Sequence, residues 1–498
     1  MRPIESISDF EQLKQVAVLL DKENARLHER LQDLTQELAQ LKGEDAQQAI
    51  QLELEKLQAE IARLQKRLLG NPSERRPPAP GESSATVAAR SGHGPREQAK
   101  LPLREQTHEL GPQERTCPVC EKQMDEWPGQ YEEAEEITVV ERRFELVRHR
   151  RKKYRCRCNA SVRTAPAPAK LIAGGRYSVD FALAVAIDKY LDHLPLERQV
   201  RVMERQGLVV DSQTLWDQLQ ALGSVLEPSL QALKRYVLGS PLVHADETWW
   251  RLMNGKSPKN WWSWCLTTPD AVVYQILPTR ATESARQALG EFRGILVADA
   301  YAVYKSLVRA GPAPFVLAHC WVHVRRHWVE IEPFYPEKCK EIIDLIGELY
   351  RVEAMVPRTL PESEAVQVRR QLRAEHSRPL IDRIRNWAYE QRASPGSQLR
   401  KAIDYMLRIW EGLTRFLDDP RIPLDNNPAE RALRGPIVGR KNHYGSRSVR
   451  GTEVAALLYS LLETAKLCDI EPATYLKAAT LRALKTPGSH LLPHDLLA

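Results

Sequence analysis

The chain has 498 residues, with 72 lysines and arginines against 65 acids and a net charge of +7. That length buries a sizeable core and divides into several domains, and the basic excess favours a polyanionic partner. Eight cysteines are too few for a disulfide scaffold, and the longest apolar runs, "FALAVAI" and "AALLYSLL", are too short to span a bilayer.

Residues 1–70 carry leucine every seven positions, at Leu13, Leu20, Leu27, Leu34 and Leu41, with Ala17, Asn24, Leu31 and Leu38 in the companion seam. This is a coiled-coil dimerisation pattern, and a lone Asn24 at an a position favours an in-register pair, so a homodimer or higher oligomer is expected. Leu54, Leu57, Ile61, Leu64 and Leu68 continue the seam after a phase shift near Gly43, as a stutter or a helical hairpin. A single amphipathic helix packed on its own domain is the plainer alternative. The N-terminus is acidic and amphipathic without an apolar signal core, so a cytoplasmic, nucleoid-associated location is expected. Residues 71–104, rich in Pro, Gly, Ser and Arg, read as a flexible linker.

Residues 105–170 contain "TCPVC" and "CRC". Cys117, Cys120, Cys156 and Cys158 can supply four thiolates to a structural zinc ion, which in a cytosolic chain explains them better than disulfides. The stretch between the pairs alternates well enough for a β-hairpin. It ends in "RHRRKKYRCR", seven cations in ten residues, and Arg150, Arg151, Lys152 and Lys153 are expected to meet DNA phosphates rather than only solvent. Cys265, Cys320, Cys339 and Cys468 sit in apolar surroundings and read as core.

Residues 171–235 look helical. One helix ends near Gly207, a short apolar turn follows, and Asp211 or Ser212 caps the next. That spacing fits a helix-turn-helix DNA-binding domain, although many αα-hairpins share it and the signal is weak without basic residues on the second helix, which has none in "SQTLWDQLQ". After Ser240 the pattern switches to three strands, a helix, a strand, a helix, a strand and a helix, an order that resembles the ribonuclease H-like fold. In such a sheet the first and fourth strands are neighbours.

Two acids stand on those strands, Asp246 in "HADET" and Asp299 in "LVADAY". Acids on apolar strands are costly unless something compensates them, and two facing carboxylates can share a divalent metal. Either could instead cap a turn. Glu430 in "PLDNNPAERALR" is the candidate third ligand. It competes with a plainer role: Asn427 as N-cap, Pro428 as first helical residue and Glu430 closing a capping box. All-oxygen ligation suits Mg²⁺ or Mn²⁺, and two such ions can drive an in-line phosphoryl transfer. Residues 336–420 read as a helical insertion within a catalytic domain spanning 236–450, followed by C-terminal helices over 451–498.

The blocks "HADETWW", "VADAYAVY", "AHCWVHVRRHW", "LDNNPAERALRGPIVGRKNHYGS" and "GTEVAALLYSLLETAKLCDIEPATYL" resemble those of transposases of the insertion sequence 66 family. The likeness runs over nearly the whole chain. It implies a multidomain α+β protein: coiled coil, zinc-binding β module, helical DNA-binding segment and ribonuclease H-like catalytic domain. It further implies a DDE transposase that cleaves element ends and joins the 3′-hydroxyls to target DNA, with Asp246, Asp299 and Glu430 as the metal-binding acids. Arg431, Arg434, Arg440 and Lys441 would then hold DNA phosphates. His319, His323 and His327 recur at helical spacing and are expected to pack or to contact phosphate with Arg325 and Arg326. The tryptophans at 249, 250, 261, 262 and 264 are expected to pack on the sheet, with base stacking as the rival role. Tyr301 and Tyr304 read as core, and Asn426 as orienting Glu430 or touching DNA. Two other readings stay open: a metal-dependent nuclease on the same fold without strand transfer, and a non-catalytic DNA-binding regulator.

Overall fold

The computed structural model describes residues 144–155, 162–253, 259–309, 315–357 and 359–497. The heptad region, the linker and all four expected zinc ligands, Cys117, Cys120, Cys156 and Cys158, lie outside the described residues. Strand β1 (Lys153–Arg155) pairs antiparallel with β2 (Val162–Thr164). The hairpin expected between the cysteine pairs lies partly outside the described residues; within them, Phe144–Lys152 has no regular structure. A run of cations repels along a ladder, and Arg150 to Lys153 stay exposed to solvent.

Helices α1 (Val179–Tyr190), α2 (Leu196–Arg205) and α3 (Ser212–Leu238) follow. Asp211 caps α3 as its sequence indicates, its Oδ1 accepting from the Thr214 amide at 2.6 Å. One face of α3 packs inward, while Gln213, Asp217, Gln220, Ser224, Gln231 and Arg235 stay exposed on the other. Leu215, Leu219, Leu222, Leu226 and Leu233 recur at helical spacing and are buried. The segment from 171 to 235 therefore shares one core with the sheet that follows it, instead of standing as a helical domain with its own.

That sheet comprises β3 (Leu242–Leu252), β4 (Lys259–Thr267), β5 (Val272–Leu277), β6 (Ile295–Ala298) and β7 (Val316–His319). Its order is β5-β4-β3-β6-β7. The first three strands pair antiparallel, while β3 with β6 and β6 with β7 are parallel. The first strand therefore lies beside the fourth, as the element order implied. Helices α4 (Thr282–Leu289), α5 (Ala302–Arg309) and α6 (Trp321–Ile331) make the crossovers and the exit. The four residues of β6 are all buried, as a strand covered on both faces requires. Leu296 and Ala298 enter the core shared with α3; Ile295 and Val297 enter a second core on the opposite face.

The second core belongs largely to the insertion: α7 (Pro336–Ala354), α8 (Glu362–Leu372), α9 (Arg378–Glu390), α10 (Gln398–Arg408) and α11 (Trp410–Thr414). Arg373, in a π-helical turn between α8 and α9, is buried, and its fork meets Glu353 at 2.7 and 2.9 Å. A third donor reaches the Phe416 carbonyl at 2.7 Å, so the buried charge is fully engaged.

The chain then forms α12 (Asn427–Ala432), α13 (Arg434–His443), α14 (Val449–Leu467) and α15 (Pro472–Lys485). Among the described residues no helix is long and apolar enough to cross a membrane. Helix α14 is buried on nearly every side and covers the outer edge of β5. Ser460 Oγ accepts from the Tyr274 amide at 2.8 Å, and Thr464 Oγ1 accepts from the Val272 amide at 3.0 Å. An edge strand that would otherwise expose unpaired backbone is thereby closed by hydroxyls on a helix. The "HYGS" turn clips α13 to the end of β3: Ser446 N donates to the Arg251 carbonyl at 3.0 Å, and Met253 N to the Ser446 carbonyl at 2.8 Å. Gly445 has φ +99°, and a methyl group there would collide with the Arg251 carbonyl, so only glycine fits.

Thr464→Val keeps the shape but removes the acceptor for the Val272 amide; urea unfolding is expected to show a loss of about 1–3 kcal/mol. His443, beside this clip, lies 3.3 Å from the Tyr459 hydroxyl and 3.2 Å from the Gly445 carbonyl. Burial, aided by Lys189, lowers its pKa from 6.5 to about 3. The unfolded state therefore takes the proton first, and stability present above pH 6.5 is lost as pH falls toward 3. His443→Gln is expected to flatten the decline of the unfolding free energy, read from urea titrations below that pH, by up to about 1.4 kcal/mol per pH unit.

Candidate active site

Parallel pairing places the first two acids. Leu242, Val243 and His244 lie opposite Ile295, Leu296 and Val297. The same offset, carried two residues on, sets Asp246 beside Asp299 and on the same face, since side chains alternate along a strand. Asp299 comes just after β6, where its Oδ1 accepts from the Tyr301 amide at 2.9 Å. Asp246 Oδ1 accepts from the Glu247 amide at 2.8 Å. Each acid is thus oriented through a local backbone bond.

The segment before Glu430 is pinned across this strand pair. Asn426 is completely buried. Its Nδ2 donates to the Ala245 carbonyl at 2.8 Å, its Oδ1 lies 3.0 Å from His244 Nδ1, and its amide donates to Cys320 Sγ at 3.2 Å. The Trp321 amide adds a bond to the Leu424 carbonyl at 2.8 Å. Residues 424–426 therefore bridge β3 and the junction of β7 with α6, and α12 starts from that anchor.

This geometry decides the question of the capping box. The helix begins at Asn427, one residue before the sequence pattern suggests, with Asn426 in the cap position and no side-chain cap bond. Asp425 Oδ1, not Glu430, takes the Asn427 amide, at 3.0 Å. Pro428 and its fixed φ suit the first turn either way. Glu430 is released from capping and points toward α6, with Oε1 3.6 Å from His323 Nε2 and Oε2 4.0 Å from Arg326 Nη2.

The electrostatics tie the three acids together. Burial first, then the neighbouring Glu247 charge, raise the Asp246 pKa to about 8, with Asp299 and Glu430 adding to the push against the pull of the Glu247 amide. Among the described residues no three His, Cys, Asp or Glu side chains stand close enough to enclose an ion. Glu430 leans to His323 and Arg326 instead of closing on the aspartates. The donor set nonetheless fits a hard divalent cation: it offers carboxylate oxygens only, Asp246 is destabilised by like charges, and Glu430 Oε1 is buried without a hydrogen-bond partner.

Other expected residues divide. Arg431, Arg434 and Lys441 are exposed, and Arg325 and Arg326 are partly exposed, Arg326 beside Glu430. Arg440 is not on that surface: it is 6% exposed, donates to Thr248 Oγ1 at 3.0 Å and to the Trp249 carbonyl, and lies 3.6 Å over the Trp249 ring. It holds α13 to β3. His319 ends β7 and is buried, so the three histidines do not share a helix; His323 faces Glu430, and His327 packs on Tyr405 with ring centres 4.2 Å apart. Trp250 and Trp264 are buried in the sheet core, as favoured, and Trp249 is half-exposed beneath Arg440.

Sequence reasoning missed Glu247 and Arg280. Glu247 is buried and bonded to Arg280 and to the Tyr304 hydroxyl. The signal was present in "HADET": two consecutive acids on a strand point to opposite faces, so one of them enters the core and requires a partner.

The model of the Transposase IS66 family matches residues 174–454, a span that contains Asp246, Asp299 and Glu430, and the chain belongs to that family. It is similar to three uncharacterized proteins of Sinorhizobium fredii. One, y4jD, is 30% identical over 387 residues, 74% of each chain. Another, y4hP, is 28% identical over 384 residues, 72% of this chain and 68% of that one. The third, y4qI, is 30% identical over 368 residues, covering 70% and 67%. Family membership makes this a transposase, a DNA-processing enzyme that binds DNA.

Asn426→Ala removes both side-chain bonds from a closed site and is expected to lower stability by about 1–3 kcal/mol in urea unfolding, through the unpaired Ala245 carbonyl.

Proposed function

We propose that the chain is a DDE transposase on a ribonuclease H-like catalytic domain, which cleaves the ends of an insertion sequence and joins the freed 3′-hydroxyls to target DNA. What supports this reading is the parallel register of β3 and β6, whose continuation brings Asp246 toward Asp299, together with the repulsion that Asp299 and Glu430 exert on the Asp246 charge. Asp246, Asp299 and Glu430 would hold two Mg²⁺ or Mn²⁺ ions. Such ions activate a water or a 3′-hydroxyl and stabilise the leaving oxygen of an in-line displacement.

The chain's own residues do the rest. The Glu247 and Tyr301 amides orient the two aspartates. Glu430, at the start of a short helix, supplies the third carboxylate by turning away from His323 and Arg326. Those two side chains would then be released toward the phosphate of the strand being cut. Arg325, Arg431, Arg434 and Lys441 would bind flanking phosphates, with affinity that falls as salt rises. Arg150, Arg151, Lys152 and Lys153 are exposed and would extend the contact to the terminal repeats, next to a structural zinc held by Cys117, Cys120, Cys156 and Cys158. The N-terminal heptads would pair two subunits so that both element ends are held together.

Asp246→Asn is expected to abolish cleavage and joining of end-containing DNA in Mg²⁺ while leaving binding in a gel-shift assay nearly intact. Loss of binding in parallel with loss of chemistry would speak against a metal-ligand role. Joining of pre-cut ends by the wild type separates a transposase from a nuclease that only hydrolyses.

A further inference from the structure

Behind the aspartates lies a cluster that the chemistry above does not use. Glu247 follows Asp246 on β3 and points to the opposite face, where its carboxylate has 0% exposure. One oxygen takes Arg280 Nη2 at 2.6 Å and Nε at 2.8 Å. The other takes the Tyr304 hydroxyl at 2.7 Å. Arg280, in the turn after β5, lies 3.8 Å from the centre of the Tyr301 ring and 5.0 Å from that of Trp262. The Tyr301 hydroxyl in turn donates to the Arg280 carbonyl at 2.7 Å. Residue 280 is therefore gripped from both sides, by Glu247 on one strand and by Tyr301 at the end of another.

These two gripping residues are also the ones whose amides orient the acids. Glu247 N holds Asp246 Oδ1 at 2.8 Å, and Tyr301 N holds Asp299 Oδ1 at 2.9 Å. A shift of Arg280 would move Glu247 relative to Tyr301, and with them the two carboxylates. We propose that Arg280 is a positioning residue that sets the separation of the Asp246 and Asp299 carboxylates for a divalent cation, acting through Glu247 on one side and Tyr301 on the other. This rests on the two-aspartate reading of the site. The opposing explanation is that Arg280 only neutralises a buried Glu247, which would affect stability and not cation affinity.

The test titrates the full chain with Mn²⁺ alone, reading free Mn²⁺ by electron paramagnetic resonance, and follows thermal unfolding in chelator in parallel. Arg280→Gln is expected to weaken Mn²⁺ binding by about 10–100-fold, the range for residues that orient metal ligands without touching the metal. Arg280→Lys restores the charge but not the two-pronged donation or the stacking, and should recover only part of the affinity. If Arg280→Gln does not fold, Tyr301→Phe, which loses only the hydroxyl bond to residue 280, should still weaken Mn²⁺ binding, by a smaller factor. Wild-type affinity in a folded Arg280→Gln or Tyr301→Phe protein, whatever its unfolding midpoint, overturns the proposal. Mn²⁺ binding by Asp246→Asn equal to that of the wild type would mark a different failure: the two-aspartate reading falls, and the positioning role with it.

Discussion

The parallel pairing of β3 with β6 is the constraint on which the rest depends. It fixes two acids, distant along the chain, at adjacent positions on one face of the sheet. Placing them there is unfavourable in isolation, because burial and mutual repulsion both oppose ionisation of Asp246. The fold tolerates this because the strands are held independently. β6 is buried on both faces, Asn426 ties β3 to the β7–α6 junction, and Arg280 joins the end of β5 to Glu247. The stability of the sheet thus supports a site that would otherwise weaken it, as is common where function demands unfavourable charge.

Chain segments outside the strands do much of this work. The insertion does not sit apart as an appendage: its apolar helix faces share a core with Ile295 and Val297, on the face that carries the aspartates. Helix α14, far along the chain, protects the edge of β5 with Ser460 and Thr464. The helices before the sheet pack with α14 into the other core, on the opposite face. The five-stranded sheet therefore shares its cores with most of the described chain, and the family match over residues 174–454 begins ahead of α1 and ends within α14.

Much of this was legible from residue order. Alternation in "PLVHADETWWRLM" and the apolar run "GILVA" marked the strands, and their sequence implied that the first lies beside the fourth. Asp211 as a cap was equally plain, because N-cap chemistry is local. Glu430 was harder. "NNPAE" satisfies a capping pattern and a metal-ligand pattern equally well, and a shift of one residue in the helix start separates them. That shift is imposed by Asn426, whose bonds go to His244, Ala245 and Cys320, all more than a hundred residues away.

The sequence by itself determined the order of strands and helices from residue 171 on, which acids stand on apolar strands, and which family the motifs resemble, because those depend on periodicity and on neighbours a few positions apart. Only the tertiary structure decided that Arg440 of α13 turns onto β3 instead of joining a basic surface, that α3 turns its leucines into the sheet core, and that Glu247 meets Arg280. A guanidinium or carboxylate carries no local mark of its partner. Its role is set by which segments close-packing brings within about 3 Å, and that distance is fixed by the whole core at once.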